Sequence, residues 1–259
     1  MGKISGIDYV DASWGPWRGC TKVSEGCAHC YAERQMKWHG MDFNTVKLAA
    51  DATFDAPLHW KEPKRIMVCP WGDFFHPDAD GWRFEALLIM KMCQDGTLGT
   101  ATGKYAKHTF VVVTKRPERM VDCLYGSGAK LGYFAHGDSL NNTWLLVTVE
   151  NQRRADERIP QLLRLRDYGN WPVLGVSIEP MLGEVDITPW LAQLNWVIVG
   201  GESGTGARPM HTDWVRKVRD DCQAAHVPFY FKQYHGTRPE TKGHLLDGRE
   251  WREEPCQRN

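Results

Sequence analysis

The feature that most narrows the fold is a pattern that recurs along the 259 residues: a short apolar run rich in β-branched residues, closed by polar groups and followed by a helix-like stretch. Arg65–Cys69 (RIMVC), His108–Thr114 (HTFVVVT), Trp144–Val149 (WLLVTV), Val173–Ile178 (VLGVSI), Trp196–Val199 (WVIV) and Val227–Lys232 (VPFYFK) are six such runs. Helical stretches are expected over Gly81–Gln94, Glu118–Leu124, Arg153–Arg166 and Asp213–Ala225. Short buried strands alternating with helices argue for βαβ units and a parallel sheet. A shorter strand is expected near Ile7–Val10. This count suits a partial or full β/α barrel of the TIM-like kind, with a doubly wound sheet as the alternative. No linker is visible, so residues 1–259 read as a single domain. Within it lie a cysteine-bearing loop over 11–33, a loop or insertion over 126–143, and a polar tail over 234–259 that is expected to be partly disordered.

Lys+Arg and Asp+Glu both number 32, so no global charge draws the chain to nucleic acid, although a local basic patch remains allowed. No stretch approaches the roughly 18 apolar residues of a membrane span. Met1 to Val10 holds no apolar core of a secretory signal, which points to the cytoplasm, that of the host for a phage-encoded chain. Eight cysteines without an export signal read as reduced thiols, and clustered ones as metal ligands. Twelve Trp suit cores, interfaces and base stacking.

Cys20, Cys27 and Cys30 are spaced C-x6-C-x2-C, flanked by Gly19 and Gly26. A C-x2-C pair converges on one metal centre, and the preceding Cys supplies a third donor from a Gly-bounded loop. The helix expected after Cys30 (YAERQMKW) turns its N-terminal dipole toward an anionic centre. Three thiolates fit a 4Fe-4S cluster with one open iron. They also fit zinc, with His29 or Cys69 as a fourth ligand, and cysteines without any metal remain a third reading. Cys93, Cys123 and Cys222 fall in helical stretches and read as core.

The stretches Asp11–Trp14, Gly19–Ser24, Gly26-Cys27 and Cys30–Glu33 resemble a family of phage and bacterial proteins grouped with the radical S-adenosylmethionine (SAM) enzymes. So do Thr114–Arg119, Val149–Asn151, Ile178–Pro180, Val199–Ser203, Ala207–Met210 and Phe231–Gln233, in order, from about Asp8 to Gln233. The resemblance implies a barrel of the radical SAM type and a 4Fe-4S cluster on Cys20, Cys27 and Cys30. It implies SAM chelating the open iron, an electron donor as partner, and a 5′-deoxyadenosyl radical that abstracts hydrogen from a substrate. Nucleic acid or a nucleotide is among the substrate classes considered. The spacing departs from the C-x3-C-x2-C most frequent in those enzymes, and His29 stands where they place an aromatic residue. Gly200-Gly201-Glu202 follows the fifth clear strand, whereas a similar motif there often lies near the second.

The strand ends are polar: Asp73, Thr114-Lys115-Arg116, Glu150-Asn151, Glu179, Gly201-Glu202-Ser203 and Lys232-Gln233. In a parallel barrel such ends converge on the site, and charges gathered there predict a polar ligand such as SAM. Glu150 or Glu179 is expected to accept from the SAM amino group or ribose hydroxyls, and Lys115 or Arg116 to pair with its carboxylate. Glu202 and Lys232 join the same rim. Gly200, Gly201 and Gly204 are expected to permit close backbone approach. Asp73 with His76 reads as a candidate acid/base pair. Lys61, Lys64, Arg65, Lys104, Lys107, Lys115, Arg116 and Arg119 read as a basic surface or as a solvated mixed-charge face. The alternatives to an enzyme of this type are an iron–sulfur or zinc protein that binds nucleic acid or a protein partner, and a metallohydrolase on the same barrel.

Overall fold

Seven parallel strands form one curled sheet whose spatial order follows the chain: β1 (Ala12–Trp14), β2 (Arg65–Val68), β3 (Thr109–Thr114), β4 (Thr143–Thr148), β5 (Val173–Ile178), β6 (Trp196–Gly200) and β7 (Phe229–Gln233). The computed structural model describes residues 7–96, 106–126, 137, 139–237 and 244–255. Every strand pairs in parallel with its predecessor, so all C-terminal ends share one edge. Among the described residues β1 and β7 do not pair with each other, and the sheet is a half-barrel in a mixed α/β fold.

The period of two along each strand separates the faces. Val68, Val112, Val147, Val176, Val199 and Phe231 pack into the main core. The helices α1 (Tyr31–Trp38), α2 (Arg83–Asp95), α3 (Pro117–Tyr125), α4 (Gln152–Leu163) and α5 (Thr212–Ala224) follow the chain. The last four cover the convex face, and Cys93, Cys123 and Cys222 are core residues on them. Met67, Val111, Trp144, Leu146, Trp196, Ile198 and Tyr230 form a second cluster on the concave face. Both faces are therefore covered, which is why the strands read as continuous apolar runs. Helix ends follow local chemistry. Asn151 accepts the Arg154 N–H at 3.1 Å and starts α4, and Gly96, with φ 70°, closes α2.

Several expectations need correction. The first strand lies at Ala12–Trp14 rather than Ile7–Val10. Tyr9 instead fills the concave floor, with its ring edge-on to Trp196 and Tyr230 at 5.5 and 5.7 Å. The 11–33 stretch is not one loop. It contains β1, a two-residue strand at Trp17–Arg18 paired with Lys47–Leu48, a 3₁₀ turn at Glu25–Cys27 and the start of α1. The helix expected to Arg166 ends at Leu163 and continues as a 3₁₀ turn over Arg164–Asp167. Of the loop expected over 126–143, positions 127–136 and 138 lie outside the described residues, whereas Leu140 is buried and Thr143 opens β4.

The tail is ordered where it is described. Phe231 N–H donates to Trp251 O (2.8 Å) and Glu253 N–H to Phe229 O (3.1 Å), so the tail runs antiparallel along β7 and covers an edge that would otherwise offer open backbone groups. It also seals the base of the half-barrel. Trp196 Nε1 donates to Glu253 O at 2.9 Å, and the Arg65 guanidinium forks onto Glu254 (2.7 and 2.8 Å) while lying 4.8 Å above the Trp144 ring. Trp144 and Trp196 meet edge-on at 5.6 Å. This floor predicts that Trp144→Ala costs about 3–5 kcal/mol in urea denaturation, whereas a loss below about 1 kcal/mol would contradict a packed floor.

Candidate functional site: a thiol-lined cavity

A cavity of about 680 Å³ opens at the C-terminal edge of the sheet. Met67, Val113, Thr148 and Ser177 line it from the strands, and the cysteine loop and α1 form a wall. Cys20, Cys27 and Cys30 all face it, as do Lys115, Arg116, Glu179, Gly201, Glu202 and Lys232. Glu150 and Gly200 do not line it. The cavity therefore brings together most of the residues that the sequence singles out.

Glu150 is fully buried behind the loop. Arg158 Nη1 donates to its Oε2 at 3.0 Å and Ser24 Oγ to its Oε1 at 2.6 Å. Gly26 makes this approach sterically open, because a Cβ there would fall 2.4 Å from the Glu150 carboxylate. Gly200 and Gly201 have a similar internal reason. A Cβ on Gly200 would lie 2.6 Å from Glu179 Oε1, and one on Gly201 2.3 Å from the His235 amide. The close approach expected at these glycines is made by the protein's own groups.

The rest of the loop is clamped in the same way. Arg154 reaches Glu25 through Nη2 (2.8 Å) and Nε (3.1 Å), and these bonds hold the Glu25 carboxyl down at about 2. Arg208 Nη1 donates to Glu25 O (2.9 Å), and its Nε and backbone N–H donate to Glu202 Oε2 (3.0 and 2.9 Å). His29 Nδ1 donates to that same oxygen at 3.0 Å. Burial pushes Glu202 up, but the Arg208 and His29 bonds outweigh it and the carboxyl sits at about 2. Arg116 is buried against Asp73 (3.1 Å). It also donates to Cys20 Sγ (3.4 Å), to Thr21 O (2.9 Å) and to Thr21 Oγ1 (2.8 Å).

Asp73 and His76 do not form the side-chain pair expected of them. Asp73 accepts from Thr114 Oγ1 (2.6 Å), Phe75 N–H (2.9 Å) and Lys115 N–H (3.2 Å) as well as Arg116. His76 accepts the Asp78 N–H on Nδ1 (3.2 Å) and so offers Nε2–H to Thr21 Oγ1 (3.1 Å). Of the residues read as a basic surface or a mixed-charge face, three Arg have acidic partners. Arg65 is engaged by Glu254, Arg119 by Asp80 and Arg116 by Asp73, and Lys104 lies outside the described residues.

What remains open toward the cavity is a small set. Lys115 makes no side-chain ion pair among the described residues. Lys232 Nζ pairs with Glu179 Oε1 at 2.9 Å, and Ser177 Oγ donates to Glu179 Oε2 at 3.1 Å. Cys69 also lines the cavity, with φ 52° in the left-handed region that β-carbon sterics disfavour. Burial pushes its thiol well up. The sequence carries no signal for this backbone turn.

The three thiols are donors of the type that thiolate-bound metal centres use. Cys20, Cys27 and Cys30 are free, part-exposed and share one cavity. Burial, followed by the Asp73 charge, pushes the Cys20 thiol up to about 11, against the pull of Arg116. Among the described residues no group of three or more His, Cys, Asp or Glu stands as a single-ion cage.

Two predictions follow from the clamps. Glu150→Ala leaves Arg158 buried without its partner, so stability falls by about 3–5 kcal/mol in urea denaturation, and an unchanged midpoint would contradict the pairing. Glu202 is depressed on folding, so its contribution is full above its unfolded value near 4.5 and is lost as pH falls toward about 2. Stability should decline across that window by up to about 3 kcal/mol, and the Glu202→Gln protein should lose that part of the pH dependence.

Among the described residues no helix is long and apolar enough to cross a membrane. No curated protein and no solved structure matches the chain. Residues 4–255 match the model of the family described as protein of unknown function (DUF5131), and the chain belongs to that family.

Proposed function

We propose that the chain is a radical SAM-type enzyme that holds a 4Fe-4S cluster on Cys20, Cys27 and Cys30 and binds SAM in the same cavity. The observation that carries this reading is that three free thiols from one short loop line a single cavity at the C-terminal edge of a parallel half-barrel, the edge at which β/α barrels place their chemistry. When bound, the cluster would pass an electron from a donor protein to SAM, breaking its C5′–S bond to give methionine and a 5′-deoxyadenosyl radical that takes a hydrogen atom from the substrate. In this reading the unpaired Lys115 ammonium receives the SAM carboxylate. Glu179, held by Lys232 and Ser177, accepts from the amino group or the ribose hydroxyls. Arg116 steadies Cys20 through its Sγ contact. Glu150 and Glu202 serve as positioning residues, since their carboxylates hold Ser24, His29 and Arg208. The reading carries with it a reducing, cytoplasmic setting, because the ligands act as thiolates.

A second reading is favoured by one contact. Glu202 fixes His29 through Nδ1 and leaves Nε2 without a partner among the described residues, the arrangement of a carboxylate-supported metal ligand. It would make the chain a zinc or iron–sulfur protein that binds nucleic acid or a protein partner without SAM chemistry.

Anaerobic reconstitution separates the two. About four irons and four sulfides per chain, with 5′-deoxyadenosine formed from SAM and dithionite, are expected. Each of Cys20→Ala, Cys27→Ala and Cys30→Ala should lose both iron and product. Zinc without iron would replace the first reading by the second. Iron without SAM cleavage would also remove the enzymatic reading.

A further inference from the structure

Outside the cavity, α1 carries aromatic surface that the core does not explain. Trp38 is 81% exposed, although Trp is largely buried on average. Its ring lies 5.2 Å from His39, and His39 lies 5.5 Å from Trp71, so three tilted rings run in series. Tyr31, Arg34, Gln35 and Trp38 fall at helical i, i+3, i+4 and i+7 positions, on one stripe of α1. The first three line the cavity. Trp38 therefore extends the cavity wall outward, about 10 Å along the helix from Tyr31 at 1.5 Å per residue.

Cations gather around these rings. Arg18 sits directly across the short antiparallel ladder from Lys47, and like charges placed so oppose folding. Lys37 adjoins Trp38. None of these three makes an ion pair among the described residues. Between positions 18 and 48 there are five basic and three acidic residues, in a chain whose net charge is zero. Of the acids, Glu25 and Glu33 are taken by Arg154 and Lys22, and Asp42, which accepts from the Asn44 N–H and the Thr45 hydroxyl, lies within reach of the Lys47 charge. Arg18 adjoins Gly19, whose N–H donates to Trp71 O at 2.9 Å, so the cations and the rings share one rim.

Exposed Trp38 and His39 rings, continued by the part-buried Trp71 and flanked by cations without a close ion pair among the described residues, make a platform on which bases stack while phosphates are neutralised. We propose that this rim binds single-stranded nucleic acid, with a base on the Trp38–His39–Trp71 rings and phosphates on Arg18, Lys37 and Lys47. A strand held there delivers its next nucleotides to the cavity mouth. What the cavity does with them rests on the proposed SAM chemistry; the binding itself does not.

The test uses the full chain, purified without reconstitution, and fluorescence anisotropy with labelled single-stranded RNA and DNA of about 15 nucleotides. Binding is expected, weakened about 10-fold by Trp38→Ala, a surface change that leaves the core intact. Arg18→Ala and Lys47→Ala should each reduce the slope of log affinity against log salt by about 0.7. Lys91→Ala, on the convex side and paired with Asp95, should change nothing. Absence of binding to both RNA and DNA at low salt would overturn the proposal, as would wild-type affinity in both Trp38→Ala and His39→Ala. Self-association that Trp38→Ala abolishes, with no oligonucleotide bound, would assign the rim to a second copy and overturn it too. None of these readings depends on iron, so loss of the SAM reading would leave a positive binding result intact.

Discussion

The buried Glu150 carboxylate joins the half-barrel to the cysteine loop, and the site depends on that junction. A fully buried carboxylate is costly unless its lone pairs are met. Arg158 from α4 meets one oxygen and Ser24 from the loop meets the other. The loop therefore completes a charge pair that the sheet and its first covering turns cannot satisfy alone. Its seat is specified by an electrostatic need rather than by apolar packing, and Gly26 is the position where the loop backbone comes against the Glu150 side chain.

The same logic accounts for the six residues between Cys20 and Cys27. Thr21 is held by Arg116 and His76, Lys22 by Glu33, Ser24 by Glu150 and Glu25 by Arg154. A shorter gap would have to drop some of these anchors. Polar groups at the strand ends thus divide into two kinds. Arg116, Glu150 and Glu202 each bond to the loop, at Cys20 and Thr21, at Ser24 and at His29, and Asp73 anchors Arg116, whereas Lys115, Glu179 and Lys232 line the cavity without a side-chain hydrogen bond to the loop among the described residues. A rim of charge at the end of a parallel barrel is in part the means by which the barrel holds its own loops.

The opposite end is closed by different chemistry. Trp144, Trp196, Tyr9 and Tyr230 fill the concave floor with rings whose polar tips need partners. The tail provides one at Trp196 and lays the Arg65–Glu254 pair across the base. A sheet that does not close on itself has exposed edges, and the antiparallel run of 251–253 along β7 covers one of them.

The sequence by itself determined the parallel sheet, because strands covered on both faces must be apolar throughout, and it determined the three-cysteine group, because the C-x6-C-x2-C spacing is local. It also marked most of the polar residues that line the cavity, since parallel strands deliver their C-terminal ends to one edge. Only the tertiary structure decided which of those charges face inward to the loop, why Asp73 and His76 part company, and that Tyr9 is floor rather than strand. Nor does the sequence distinguish Trp144, sealed under Arg65, from Trp38, open to solvent at the end of α1. Burial and pairing are set by partners tens to hundreds of residues away along the chain, such as Ser24 for Glu150 or Glu254 for Arg65. Local pattern carries a residue's class and period, and the partner that fixes its role is supplied only when the chain folds.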